Sequence, residues 1–168
     1  WNDTRSVKQC LEMEKIYPSL RKESGNIAMP GFTSPKILWL KENKTEIFKK
    51  IYKVLLPKDY LRFCLSGEYY TDMSDASGTL WLNVKDRIWS EELLNLADLS
   101  TKHMPNLVEG SDVTTTVQKK LANELGFNNE VLIAGGAGDQ AAGAVGSGVI
   151  NPSQSVISLG TSGVIFHL

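Results

Sequence analysis

The chain of 168 residues is the length of one domain or a little more, and its 42% apolar content suffices for a core and is too high for a disordered chain. Eighteen Lys and Arg face nineteen Asp and Glu, a net charge of −1, which leaves no basic excess for gripping nucleic-acid phosphates or an anionic membrane surface. No apolar run approaches the roughly 20 residues of a bilayer span. No secretory leader is visible, and the distant pair Cys10 and Cys64 gives neither a disulfide scaffold nor a zinc site, so a cytoplasmic setting is expected. The chain starts at Trp1 without an initiator Met and stops inside an apparent strand, so we expect a piece of a longer protein.

In chain order, Asp3 is placed to cap a helix over residues 4–17, with Val7, Leu11 and Met13 at helical spacing and Pro18 beyond its end. Gly25, Pro30 and Gly31 mark 18–31 as a loop. Ser34 followed by Pro35 reads as a cap and first helical position. Ile37, Leu38, Leu40, Ile47, Phe48 and Ile51 then supply the apolar face of two short helices. Trp39 belongs with the core, while Lys36 is either a solvated lysine or faces an anion. Val54, Leu55 and Leu56 form a buried strand or extended segment before Pro57. Asp59 caps a helix over 60–65 that ends at Gly67. Residues 79–82 read as a strand; Asp72 and Asp75 could pass for a metal pair, but in a Ser/Thr-rich turn they read as turn residues bonding their own backbone. Ser90 caps a helix over 91–96. Thr115 or Thr116 opens a helix over 117–125, which Gly126 closes.

Beyond residue 130 the composition changes. Residues 131–134 read as a short buried strand, followed by Gly135-Gly136-Ala137-Gly138-Asp139-Gln140 and a small-residue helix over 141–146. Asn151 and Pro152 make a turn, and strands at 155–159 and 164–168 flank the tight turn Gly160-Thr161-Ser162-Gly163. Read literally, residues 136–141 give GxGxxA after a strand and before a helix, the dinucleotide-binding pattern. That reading needs an acid about 20 residues on for the ribose. Positions 157–163 hold none, and the Asp139 carboxylate would repel a pyrophosphate. Asp139 itself has two readings: a lone carboxylate on a loop stripped of side chains, able to accept a proton from a substrate hydroxyl, or a helix cap. The turn at 160–163 is likewise either a nest of N–H and hydroxyl donors for phosphate or an ordinary hairpin turn. Asp3 and Arg5 either contact polar hydroxyls or serve as cap and surface ion pair. His103 and His167 stand alone, so no metal ligands are expected in this chain.

Taken together the segments carry a resemblance. Gly31-x-Thr33-x-x-Lys36-Ile37-x-Trp39-Leu40-x-Glu42-Asn43 fits the first signature of the FGGY carbohydrate kinase family at each defined position. Residues 55–62, 65–68, 71–82 and 159–163, with Trp1-Asn2-Asp3-x-Arg5-Ser6, are similar to the xylulokinase branch of that family, so the resemblance covers essentially the whole chain.

It implies an α/β, actin-like ATPase or ribonuclease-H-like fold, present in part, with substrate and ATP between two domains. Residues 1–140 would belong to the N-terminal sugar-binding domain and 141–150 to a closely packed inter-domain connection. Residues 151–168 would form the first hairpin of the C-terminal ATP-binding domain. By the same resemblance Asp139 is the general base, Gln140 with Asp3 and Arg5 binds sugar, and Gly160, Thr161, Ser162 and Gly163 contact the phosphates of ATP with Mg²⁺. The implied reaction converts D-xylulose to D-xylulose 5-phosphate, and the excised fragment would be inactive. Xylulokinases commonly carry Asp-Asn where this chain has Asp139-Gln140. Gluconate, glycerol or ribulose therefore stay open as acceptors, as does a non-catalytic sugar-binding remnant. A broken sheet edge would also invite association, which leaves a homodimer open.

Overall fold

A computed structural model of the chain describes residues 2–160 and 163–168. Helix α1 (Val7–Ile16) starts after Ser6, whose side chain makes no capping bond. Asp3 is not its cap. The Arg5 N–H and guanidinium donate to the Asp3 carboxylate at distances down to 2.6 Å, so its acceptors are taken two residues along. A short helix α2 (Leu20–Ser24) replaces the expected loop. It buries Leu20, and Gly25 at φ +70° ends it; one turn is too brief to show a periodicity.

Helix α3 (Thr33–Asn43) begins ahead of Pro35, which sits inside the first turn, where its missing N–H needs no partner. The Ser34 N–H is instead spent on the Thr79 carbonyl, 3.0 Å away. After α4 (Thr45–Phe48) the chain is extended and half-buried at residues 54–56, forming no strand. Helix α5 (Pro57–Ser66) starts earlier than expected, with Pro57 at its first position. Asp59 acts from within the first turn, accepting from the Leu56 N–H at 3.3 Å, and Gly67 at φ +83° terminates the helix.

Strand β1 (Tyr70–Asp72) leads into α6 (Met73–Ser77), where Asp72 caps by accepting from the Asp75 N–H at 3.0 Å. The apolar run after it does not form the expected strand throughout. Leu80 turns at φ +65°, and only Leu82 enters β2 (Leu82–Asn83), which pairs antiparallel with β3 (Ile88–Trp89). Helix α7 (Glu91–Asn95) carries the expected cap, the Ser90 hydroxyl accepting from the Leu93 N–H at 3.1 Å.

Strand β4 (Asn106–Val108) lies parallel to β1, Tyr70 opposite Asn106 and Asp72 opposite Val108. Thr115 and Thr116 belong to strand β5 (Val113–Thr116), not to a helix start; α8 (Lys119–Glu124) follows, and Gly126 at φ +77° closes it. Among the described residues strand β6 (Leu132–Ala134) pairs only with β5, and it is not buried: Leu132 is 59% exposed. Helix α9 (Asp139–Gly146) and the hairpin β7 (Ser155–Leu159) and β8 (Gly163–His167) complete the α/β arrangement.

The core gathers Met13, Leu20, Leu80, Trp81, Leu93 and Leu94, with Ala97, Leu99 and Met104, around the buried indole of Trp81. Trp39 is not among them; it is half-buried under the Arg5 guanidinium, 4.3 Å from the ring centre. In α9 only Ala144 is buried, and a Cβ at Gly143 or Gly146 would meet nothing within 4 Å. Past α9, Val149 is buried as well, so the described residues cover the 141–150 segment at Ala144 and Val149 and leave most of the rest exposed.

Candidate functional site

The site is built on the four residues between β6 and α9. Gly135 threads past the turn after β4 so closely that a Cβ there would lie 2.2 Å from the Glu109 carbonyl oxygen. Gly136 adopts φ +82°, which L side chains resist. Both positions thus need glycine for separate physical reasons. Gly135 N–H donates to Asp112 O and Gly136 N–H to Gly110 O, each at 2.9 Å, and Gly138 N–H donates to Ser74 Oγ at 2.9 Å. Donors committed in this way are not free to grip a pyrophosphate, so the dinucleotide reading has no physical support.

Gly138 takes the cap position of α9 and Asp139 is its first residue, so Asp139 is not the cap. Its exposed carboxylate accepts from the Gln140 N–H at 2.8 Å. Asp139 and Gln140 line an open cavity of about 1060 Å³ together with Thr33, Ser74, Asp75 and Phe166. Phe166 comes from β8, so the hairpin forms part of the cavity wall.

Asp3 and Arg5 line a separate pocket of about 250 Å³ with Lys36 and Trp39. The Arg5 guanidinium bonded to Asp3 holds that carboxyl well below the usual range. Lys36 donates to the Gly31 carbonyl at 2.7 Å, and from the same pocket its charge adds to the pull of Arg5 on Asp3. Ser6 connects the two pockets, its hydroxyl donating at 3.3 Å to the carbonyl of Pro30, which lines the larger cavity. Of the turn at 160–163, Gly160 is exposed and Gly163 opens β8 opposite Leu159; Thr161 and Ser162 lie outside the described residues, as does Trp1.

Beneath the glycine loop lies a group of charges in which Asp59, expected as a cap, meets Asp72 and Asp75, expected as turn residues, around Lys58. Lys58 Nζ is 2.6 Å from Asp59 Oδ1, 2.8 Å from Asp72 Oδ1 and 3.2 Å from Asp75 Oδ2. Arg62 is 5% exposed. It donates to Tyr70 O at 2.6 Å, to Ala134 O at 3.2 Å and to Gly135 O. Burial opposes the charge on Asp72, but Lys58, the Ser74 hydroxyl and the Asp75 N–H outweigh it and hold the carboxyl below its ordinary range. Burial prevails at Asp75 and pushes it up, against the pull of Lys58. Burial would likewise lower Lys58, yet bonding to Asp59 and Asp72 raises it. The spacing Asp59 to Arg62 was a visible helical pair. Contact with carbonyls more than 70 residues away had no local signal. Among the described residues, no group of three or more His, Cys, Asp or Glu is arranged to hold a metal ion.

The family model for the N-terminal domain of the FGGY family of carbohydrate kinases matches residues 1–146. The chain belongs to the FGGY carbohydrate kinases. It is 49% identical over 166 residues to the xylulose kinase of Escherichia coli (strain K12) and 48% identical to that of Klebsiella pneumoniae, covering 99% of this chain and 34% of each relative. The crystal structure of a xylulose kinase from Brucella ovis matches with a TM-score of 0.95 at 50% identity, over 98% of this chain and 34% of that one. This FGGY chain therefore spans about a third of the length of these relatives. Its architecture is the actin-like α/β fold of the FGGY kinases.

Proposed function

We propose that the chain is part of an ATP-dependent carbohydrate kinase that converts D-xylulose to D-xylulose 5-phosphate. The observation that carries this reading is the exposed Asp139 carboxylate, mounted at the first position of α9 on a glycine loop and lining a cavity large enough for a sugar. Similarity to xylulose kinases over nearly the whole chain supports the choice of sugar.

In this reading Asp139 takes the proton of the acceptor hydroxyl as its oxygen bonds to the γ-phosphorus; the bond to the bridging oxygen breaks and ADP leaves. ATP enters as its Mg²⁺ complex, a co-substrate. Gln140 orients the acceptor, Asp3 and Arg5 supply further sugar contacts from the adjoining pocket, and the turn from Gly160 to Gly163 contacts the phosphates. Residues 1–140 serve the sugar-binding domain, 141–150 the connection and 151–168 the start of the ATP-binding domain. Phosphoryl transfer depends on positioning and charge neutralisation by many groups, so the excised 168-residue chain is expected to be inactive. The free thiols Cys10 and Cys64 suit a cytoplasmic enzyme. No helix among the described residues is long and apolar enough to cross a membrane.

The test uses the full-length protein with D-xylulose and MgATP. Asp139→Ala should lower kcat by about 10²–10⁴-fold, the range of a lost general base, and leave the thermal midpoint nearly unchanged. Retained turnover would remove Asp139 from the base role. Gln140 favours a second reading of the acceptor alone, since it places one methylene more beside the sugar than Asn does. Comparing kcat/KM for D-xylulose, gluconate, glycerol and ribulose decides between them.

A further inference from the structure

Three of the four residues from 135 to 138 are glycine, the residue with the most backbone freedom. A carboxylate at the end of such a segment has no position of its own; something outside the loop must give it one. The structure holds the loop from below at both ends. At its start the buried Arg62 fork reaches the carbonyls of Ala134 and Gly135 with one nitrogen, and the β1 carbonyl of Tyr70 with the other, at 2.6 Å. A planar guanidinium can hold two backbone segments in a fixed relation, which a lysine ammonium cannot. At the loop's end Ser74 Oγ accepts from the Gly138 N–H at 2.9 Å, immediately before Asp139. The Ser74 proton is committed to Asp72 Oδ2, which leaves a lone pair for Gly138. Lys58 then ties α5 to α6 through Asp59, Asp72 and Asp75.

The geometry points to Arg62 and the Asp72–Ser74 pair as positioning residues that together fix the loop carrying Asp139. The inference rests on Asp139 being the base. Arg62 lines neither the Asp139 cavity nor the pocket of Asp3 and Arg5, so it acts through the loop and not on substrate. Ser74 does line the Asp139 cavity, so its variants must separate anchoring from sugar contact.

The experiment compares Ser74→Ala, Ser74→Thr, Arg62→Lys and Asp139→Ala in the full-length protein, with D-xylulose and MgATP as substrates. Turnover is read together with amide hydrogen exchange, by mass spectrometry, in the peptide spanning residues 135–140. Ser74→Ala and Arg62→Lys should lower kcat about 10–100-fold, the size expected for a misplaced catalytic group, with both KM values within about twofold. Both should also speed exchange across 135–140. Ser74→Thr, which keeps the hydroxyl, should recover both readouts. Parental kcat, unchanged exchange, or a rise in KM with kcat intact would each overturn the proposal. If Arg62→Lys fails to fold, Ser74→Ala and Ser74→Thr decide alone. An inactive Asp139→Ala beside a fully active Ser74→Ala sinks the positioning role and leaves the base standing. An active Asp139→Ala sinks the base and with it the positioning role stated here.

Discussion

Nine apolar residues drawn from Met13 to Met104, Trp81 at their centre, are at most 4% exposed and close on one another. Beyond Met104, only Val117, Ala144 and Val149 are buried among the described apolar residues, while Leu132, Ile165 and Leu159 stand largely in the open. Asp139 belongs to this second region. Non-directional burial organises the first. In the second, a glycine loop is fixed by directed bonds from Arg62, Ser74 and the carbonyls of Gly110 and Asp112. The difference shows how a site can stay exposed and still be placed: polar bonds set angles and distances that apolar contact does not.

The buried region should respond most strongly to a change at Trp81. Trp81→Ala should cost about 3–5 kcal/mol, read as a lower urea midpoint, because it removes the largest fully buried side chain of the core. A loss under about 1 kcal/mol would mean that this core does not organise its region.

A smaller effect is expected from Asp72→Asn, which should destabilise by about 1–3 kcal/mol near neutrality by removing a buried, bonded charge. The pH dependence has a definite sign. Asp72 is held low in the folded protein, so its contribution is present above the ordinary Asp range and is lost as pH falls through the lowered folded value. The gap between parent and variant should close on acidification. Asp75 cannot cause that loss. Its folded value is raised by burial, so its contribution is fully present below the ordinary Asp range and fades as pH rises through the raised value. A parent–variant gap that persists unchanged into acid would show that the Asp72 charge does not hold the cluster.

The smallest expected change is a gain. Gly143→Ala puts a methyl into open space within α9 and should stabilise by about 0.4–1 kcal/mol through chain entropy and helix propensity. A loss measured in the full-length protein would reveal a close neighbour to α9 beyond the residues described, sharpening the contrast with the Trp81 region.

Much of the local structure was legible. Ser90 caps α7, Gly67 and Gly126 end their helices, and a tight turn between two short apolar stretches marks β7 and β8, because each signal acts within a few residues. The glycine loop and Asp139 stood out for the same reason. Helix α2 and strands β4 and β5 did not, since each is too short to establish a period and owes its form to a neighbour. Asp3 misled because an N-terminal acid before a helix has two local partners, and Arg5 takes it.

The sequence by itself determined the family, the α/β class and the place of the candidate base. Only the tertiary structure decided what holds that base: the Arg62 fork on carbonyls of residues 134 and 135, the Ser74 hydroxyl under Gly138, and the Lys58 cluster joining α5 to α6. A cap, a turn or a period is written within one stretch of chain. A hydrogen bond between residues some 60 to 70 positions apart exists only after packing has brought two surfaces to within 3 Å.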